Sequence, residues 1–152
     1  MFIEHVNEAV AHNIPYGIYY YAHANNEQES KEEAQQVDSW IKEYMGGVNP
    51  PLGIWYDAED TSMNISNISY ISMSFVNYLW GIGYNYVGIY SSYNWLANYY
   101  DHEVIKDVGL WVANYSSINY LAQEYPQLNI KIWQNTDHYS DEFPYDGNIY
   151  YE

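Results

Sequence analysis

Ile54-Trp55-Tyr56-Asp57-Ala58-Glu59-Asp60 is an apolar, β-forming run that ends in three carboxylates. Ile, Trp and Tyr suit a pleated, half-buried surface, so the run predicts a strand with the acids at its C-terminal end. Side chains alternate along a strand, which puts Asp57 and Glu59 on one face and Ala58 on the other. Like charges held that close raise one pKa and leave the other group ionised. A site obtains a general acid and an anionic partner at one pH in this way. A polar loop opening after a buried strand would have the same letters, and the segment alone leaves both readings open.

Outward from this run, helical and strand patterns alternate. Toward the N-terminus, Phe2, Ile3, Val6, Ala9 and Val10 recur at helical spacing from Met1 to about His12. Ile14 to Tyr21 is a β-forming run with Pro15 at its entry. Asn25 or Asn26 can cap a second helix that runs to about Met45 with Ala34, Val37, Ile41 and Tyr44 on one face, and Gly46-Gly47 ends it. Downstream, Ser66 to Trp80 reads as a helix, Asn85 to Tyr90 as a strand, Asn94 to Tyr100 as a short helix and Gly109 to Tyr115 as a strand. Ile118 to Tyr125 reads as a helical turn or two, and Ile130 to Gln134 as a strand. The stretch from Asp137 to Asp146 is a polar loop before a last short strand at Asn148 to Tyr151.

Strands alternating with helices predict an α/β fold with a parallel sheet and right-handed crossovers. Polar and aromatic residues fall repeatedly at strand C-terminal ends: Tyr21-Ala22-His23, Asp57-Ala58-Glu59, Tyr90-Ser91, Asn114-Tyr115 and Gln134-Asn135. That rim is where β/α barrels and open α/β sheets place their sites. No Gly-rich phosphate loop follows the first strand, so a nucleotide cofactor is not expected, and no other cofactor is implied.

The 152 residues correspond to one domain with a real core. There are 21 Tyr and 6 Trp against 3 Phe, a preference for rings with a polar handle, which suits a cleft for carbohydrate as well as a Tyr-rich core. Twenty acidic and four basic residues give a formal charge of −16, which disfavours nucleic acid and anionic membranes as partners. With no cysteine there is no disulfide framework, thiol nucleophile or Cys-ligated metal. The five histidines, His5, His12, His23, His102 and His138, lack ligand spacing, so no metal is expected. Ser91 and Ser92 stand at a strand end without a nucleophile elbow. No signal peptide and no membrane-spanning run is visible.

Several segments together resemble the glycoside hydrolase family 25 lysozymes. Ala11-His12-Asn13-Ile14-Pro15-Tyr16-Gly17-Ile18-Tyr19-Tyr20-Tyr21 is similar to that family's A-x-x-I-P-x-G-x-Y-x-Y strand, and Ile54 to Glu59 to its W-x-D-x-E strand. Val87 to Trp95, Leu110 to Tyr115 and Trp133-Gln134 match its next strands in order. The resemblance implies one catalytic domain over residues 1–152, a modified TIM-like β/α barrel, and cleavage of the β-1,4 bond between N-acetylmuramic acid and N-acetylglucosamine in peptidoglycan glycan strands. It implies Glu59 as general acid and Asp57 as the carboxylate that orients the substrate's own N-acetyl group. Tyr21, Tyr56, Tyr90, Trp111 and Trp133 are then candidate sugar platforms. The implied place of action is extracellular or at the cell wall.

Two departures qualify the resemblance. The family normally opens with a strand bearing a D-x-S motif and a second strand before the helix at which this chain starts, so the barrel is expected to be incomplete. Its late V-D-x-N strand is matched with Tyr150 where the Asp would stand, so a second cleft carboxylate is expected to be lost. Six strands cannot close an eight-stranded barrel, and the unpaired edges predict self-association or a partner chain. A wall-binding module without turnover and a degenerate remnant are the alternatives that these departures raise.

Overall fold

The computed structural model describes residues 2–151. Met1, which the helical spacing includes in the first helix, lies outside the described residues. The elements follow in the order α1 (Phe2–Ala11), β1 (Ile18–Tyr21), α2 (Glu27–Met45), β2 (Ile54–Asp57), a 3₁₀ turn (Ile65–Asn67) and α3 (Ile68–Gly81). They continue with β3 (Val87–Ser92), α4 (Tyr93–Asn98), α5 (His102–Ile105), β4 (Gly109–Ala113), α6 (Tyr120–Glu124), β5 (Ile130–Thr136) and β6 (Gly147–Tyr150). None of these helices is long and apolar enough to cross a membrane.

The six strands form one sheet in sequence order, parallel from β1 to β5. This is the expected α/β pattern, but the sheet is open: β1 pairs only with β2 and β6 only with β5, so no closed barrel forms among the described residues. β6 departs from the expected parallel order and runs antiparallel to β5. The link from β5 holds no helix, and a parallel return would need such a crossover. Instead Tyr139 N donates to Tyr145 O at 2.9 Å and closes the loop on itself.

Local sequence explains the helix ends. The Asn26 side chain accepts from Glu29 N at 3.0 Å, which identifies Asn26 as the cap of α2, and Gly46 ends the helix at φ 63. Ser30 Oγ donates to Ile71 O at 2.6 Å and ties α2 to α3. Tyr44, expected on the buried face of α2, is instead at the surface.

Alternation along the strands divides the sheet into two faces. Ile54, Tyr56, Ile89, Leu110, Val112 and Trp133 join Ala34, Val37, Ile41, Phe75, Val76 and Leu79 of α2 and α3 in the main core. Trp55 faces the other way, and only glycine fits beneath its ring on β3. A Cβ on Gly88 would stand 2.4 Å from Trp55 Cζ3 and 2.6 Å from Gly109 O. Trp55 is therefore a fixed floor. Trp111 meets it edge-on at 5.7 Å between centroids, and Tyr86 does so at 5.5 Å.

Candidate active site

On the Trp55 side of the sheet, register places Tyr21, Asp57, Tyr90 and Trp111 side by side on four adjacent strands. Over them opens a cleft of about 200 Å³ lined by Tyr19, Asp57, Glu59, Tyr90, Trp111, Gln134 and Asp146. Of the sequence candidates, Asp57, Glu59, Tyr90 and Trp111 meet there. Tyr21 stands on the same face beside Asp57, and its phenol is raised by burial and then by Asp60, Glu59 and Asp57.

Tyr56 and Trp133 do not reach the cleft. Tyr56 is fully buried against Phe75, with centroids 4.4 Å apart, and donates to Glu33 Oε2 at 2.6 Å on the helix side of the sheet. Trp133 packs in the same core and donates from Nε1 to Asn114 O at 2.8 Å. The reason is parity. Each is next to a cleft-facing residue, Asp57 or Gln134, and successive strand residues point to opposite faces.

Asp57 ends β2 with 6% of its surface exposed, and its Oδ1 is a buried oxygen with no hydrogen-bond partner among the described residues. Burial, and then the Glu59 charge, push its pKa up to about 7. Glu59 lies just beyond the strand and is more exposed. Its pKa is raised by burial and then by Asp146. The peptide between them is held firmly, as Ala58 N donates to Tyr90 O at 3.0 Å and Ala22 N to Asp57 O at 2.9 Å.

The expected loss of a second cleft carboxylate at Tyr150 needs correction. Tyr150 faces Tyr86, with their hydroxyls 3.0 Å apart, while Asp146 at the entry to β6 supplies a third carboxylate to the cleft. Asp146-Gly147-Asn148 has the D-x-N spacing of the late motif, a signal that the alignment on Tyr150 passes over, and the antiparallel return of β6 brings Asp146 in. Tyr115, which the sequence places at the same rim, also reaches the site: its phenol donates to Gln134 Oε1 at 3.2 Å and is raised by burial and then by Asp146, Asp137 and Glu59. Tyr19 could have been read from Tyr21, two positions on and on the same face.

The aromatic wall is cross-braced. Tyr90 meets Trp111 edge-on at 5.0 Å, and Trp111 Nε1 donates to Asn148 Oδ1 at 2.9 Å on β6. Among the described residues no three His, Asp or Glu side chains form a group that could hold a metal ion. The carboxylates, set beside aromatic faces on which a sugar ring can stack, suit acid–base chemistry.

The family described as Glycosyl hydrolases family 25 matches residues 1–142. The modular autolysin LytC from Streptococcus pneumoniae superposes with a TM-score of 0.79 at 25% identity over 98% of this chain and 37% of that one. The same autolysin has been solved in complex with a synthetic peptidoglycan ligand. The Clostridium perfringens spore cortex lytic enzyme SleM superposes with a TM-score of 0.78 at 20% identity, over 97% of this chain and 52% of that one. The chain thus spans roughly a third to a half of the length of these structures. No match was found among curated proteins.

Proposed function

The chain belongs to glycosyl hydrolase family 25, and on that premise we propose that it hydrolyses the β-1,4 bond between N-acetylmuramic acid and N-acetylglucosamine in peptidoglycan. The observation that carries this reading is Asp57 Oδ1, a buried acceptor without a partner among the described residues, in the cleft that Glu59 also lines. A buried carboxylate oxygen left unpaired is costly unless a ligand completes it. The N–H of a substrate acetamido group is such a donor.

The protonation states support a sequence of steps. Before sugar binds, burial favours the proton on Asp57, whose pKa is about 7. The acetamido N–H, once donated to Oδ1, stabilises the Asp57 anion, while the sugar shields Glu59 from water and raises it further. Glu59 is then the protonated partner. The acetamido carbonyl oxygen attacks the anomeric carbon as the glycosidic C–O bond breaks, and Glu59 gives its proton to the departing oxygen. Water then adds at the anomeric carbon, loses a proton to the Glu59 carboxylate and releases the acetamido group. Tyr90 and Trp111 form the wall against which the sugar rests. This activity belongs at the cell wall, outside the membrane.

The test is the identity of the new reducing end. After digestion of purified cell walls and borohydride reduction, N-acetylmuramitol is expected. N-acetylglucosaminitol as the sole product would overturn the bond assignment.

We also propose that the open edge of β1 pairs with a second copy of the chain. Beneath that edge lies an apolar groove of about 450 Å³ lined in part by Ile3, Ile18, Tyr20, Val37 and Trp40. An unpaired strand edge over apolar surface is a template for strand addition. Sedimentation velocity in moderate salt, which screens the −16 charge, should show a dimer. A monomer at every concentration would contradict this.

A further inference from the structure

Gln134 is the one neutral polar side chain that lines the cleft among its carboxylates and tyrosines, and only 3% of its surface is exposed. Two phenols converge on a single atom of it: Tyr90 donates to Oε1 at 2.9 Å and Tyr115 donates to the same oxygen at 3.2 Å. Those two bonds fix the amide. With the oxygen turned toward the phenols, both hydroxyl protons find an acceptor on one atom, and Nε2 is left on the other side of the amide. Nε2 is therefore the atom left over, and it donates to nothing among the described residues. The amide is held on one side by two phenols, while Nε2, unlike Asp57 Oδ1, is not buried and stays open to the cleft, where a ligand can reach it.

From this we infer that Gln134 Nε2 reads the bound glycan by donating to a carbonyl oxygen of an N-acetylated sugar. The inference rests on the cleft being a glycan site. The choice of acceptor follows from charge: Asp57, Glu59 and Asp146 line the same cleft, so an anionic group is repelled there and a neutral acetamido carbonyl is not. Asp57 offers an acceptor for an N–H, and Gln134 a donor for a C=O. The carbonyl that Gln134 meets belongs to an acetamido group other than the one whose oxygen attacks the anomeric carbon, because a donor on the attacking oxygen would weaken it as a nucleophile.

The experiment is calorimetric titration of a soluble N-acetylglucosamine–N-acetylmuramic acid tetrasaccharide into full-length protein carrying Glu59→Gln, so that binding is read without turnover. In that background Gln134→Glu and Gln134→Met are compared with the parent. Gln134→Glu keeps an oxygen for both phenols but adds a carboxylate beside Asp57, Glu59 and Asp146, so both variants are first shown to be folded by circular dichroism at the titration temperature, and its affinity should fall at least tenfold. Gln134→Met, which adds no charge, should show a similar loss. Binding within twofold of the parent by both variants would overturn the inference while leaving the glycan reading intact. A parent that does not bind the tetrasaccharide would remove the glycan reading and the inference with it.

Discussion

The hydroxyl of Ser91 donates to the backbone carbonyl of Ala58 at 2.6 Å, so β3 grips the single residue that separates Asp57 from Glu59. On the other side of Glu59, Asp60 is held by His23 Nδ1 at 3.0 Å and by Ser62 N at 2.8 Å. Glu59 thus projects from a peptide fixed at both ends, although its own side chain is exposed. Such fixation holds two carboxylates in reacting geometry before substrate arrives.

Replacing Ser91 with Ala strands the buried Ala58 carbonyl. A loss of about 1–3 kcal/mol is expected, the usual cost of a buried polar group without its partner. Thermal unfolding measures it, and the turnover rate should fall alongside because the acid pair loses its clamp.

Stability should depend on pH through Asp57. Its folded pKa is raised to about 7, above its unfolded value. Between those two values the folded state holds the proton that the unfolded chain releases, so stability declines as pH rises from about 4 to about 7. Asp57→Asn should flatten that decline. Melting temperatures of both proteins across the range check it, and parallel curves would contradict the assignment.

Asp146→Asn should move the alkaline limb of the kcat/KM profile toward lower pH. Asp146 is the second cause, after burial, of the raised Glu59 pKa, so removing its charge lets Glu59 lose its proton sooner. Burial remains, so the limb should not return to that of an ordinary glutamate.

Gly88→Ala should be strongly destabilising. The new methyl would meet Trp55 Cζ3 at 2.4 Å and the Gly109 carbonyl at 2.6 Å, neither of which is a flexible chain end. Overpacking of this kind costs about 1–3 kcal/mol. Denaturant unfolding reads it directly.

Trp111→Ala and Tyr56→Phe should separate binding from folding. Trp111 lines the cleft, and its loss should weaken glycan affinity about tenfold, or about 1.4 kcal/mol. Tyr56→Phe removes the 2.6 Å bond to Glu33 on the far face, so it should lower the melting temperature and leave affinity unchanged.

Much of this architecture is legible in the chain because helical and strand periodicities are strong from Ile14 to Gln134 and the turn residues fall between them. Asn26 and Gly46 act at the ends of α2 as their chemistry dictates. α5 escaped notice because the four residues His102–Ile105 are too few to display a period. β6 was seen as a strand, but its direction depends on what the preceding loop does with its own backbone. Asp57 and Glu59 were legible from spacing, and the misplacement of Tyr56 and Trp133 could have been avoided by applying the same alternation to their neighbours. Asp146 carries the D-x-N spacing with Asn148, but its place in the cleft depends on the pairing of β6 with β5.

The central claim, that Glu59 is the proton donor of a glycan-cleaving pair with Asp57, is tested most directly by the rate of reducing-end release from purified peptidoglycan by the native chain and by Glu59→Gln. General acid catalysis contributes about 10²–10⁴-fold, so the variant should be slower by at least about 100-fold while still binding the polymer. Equal rates for the two proteins, or no release by the native chain, would contradict the account.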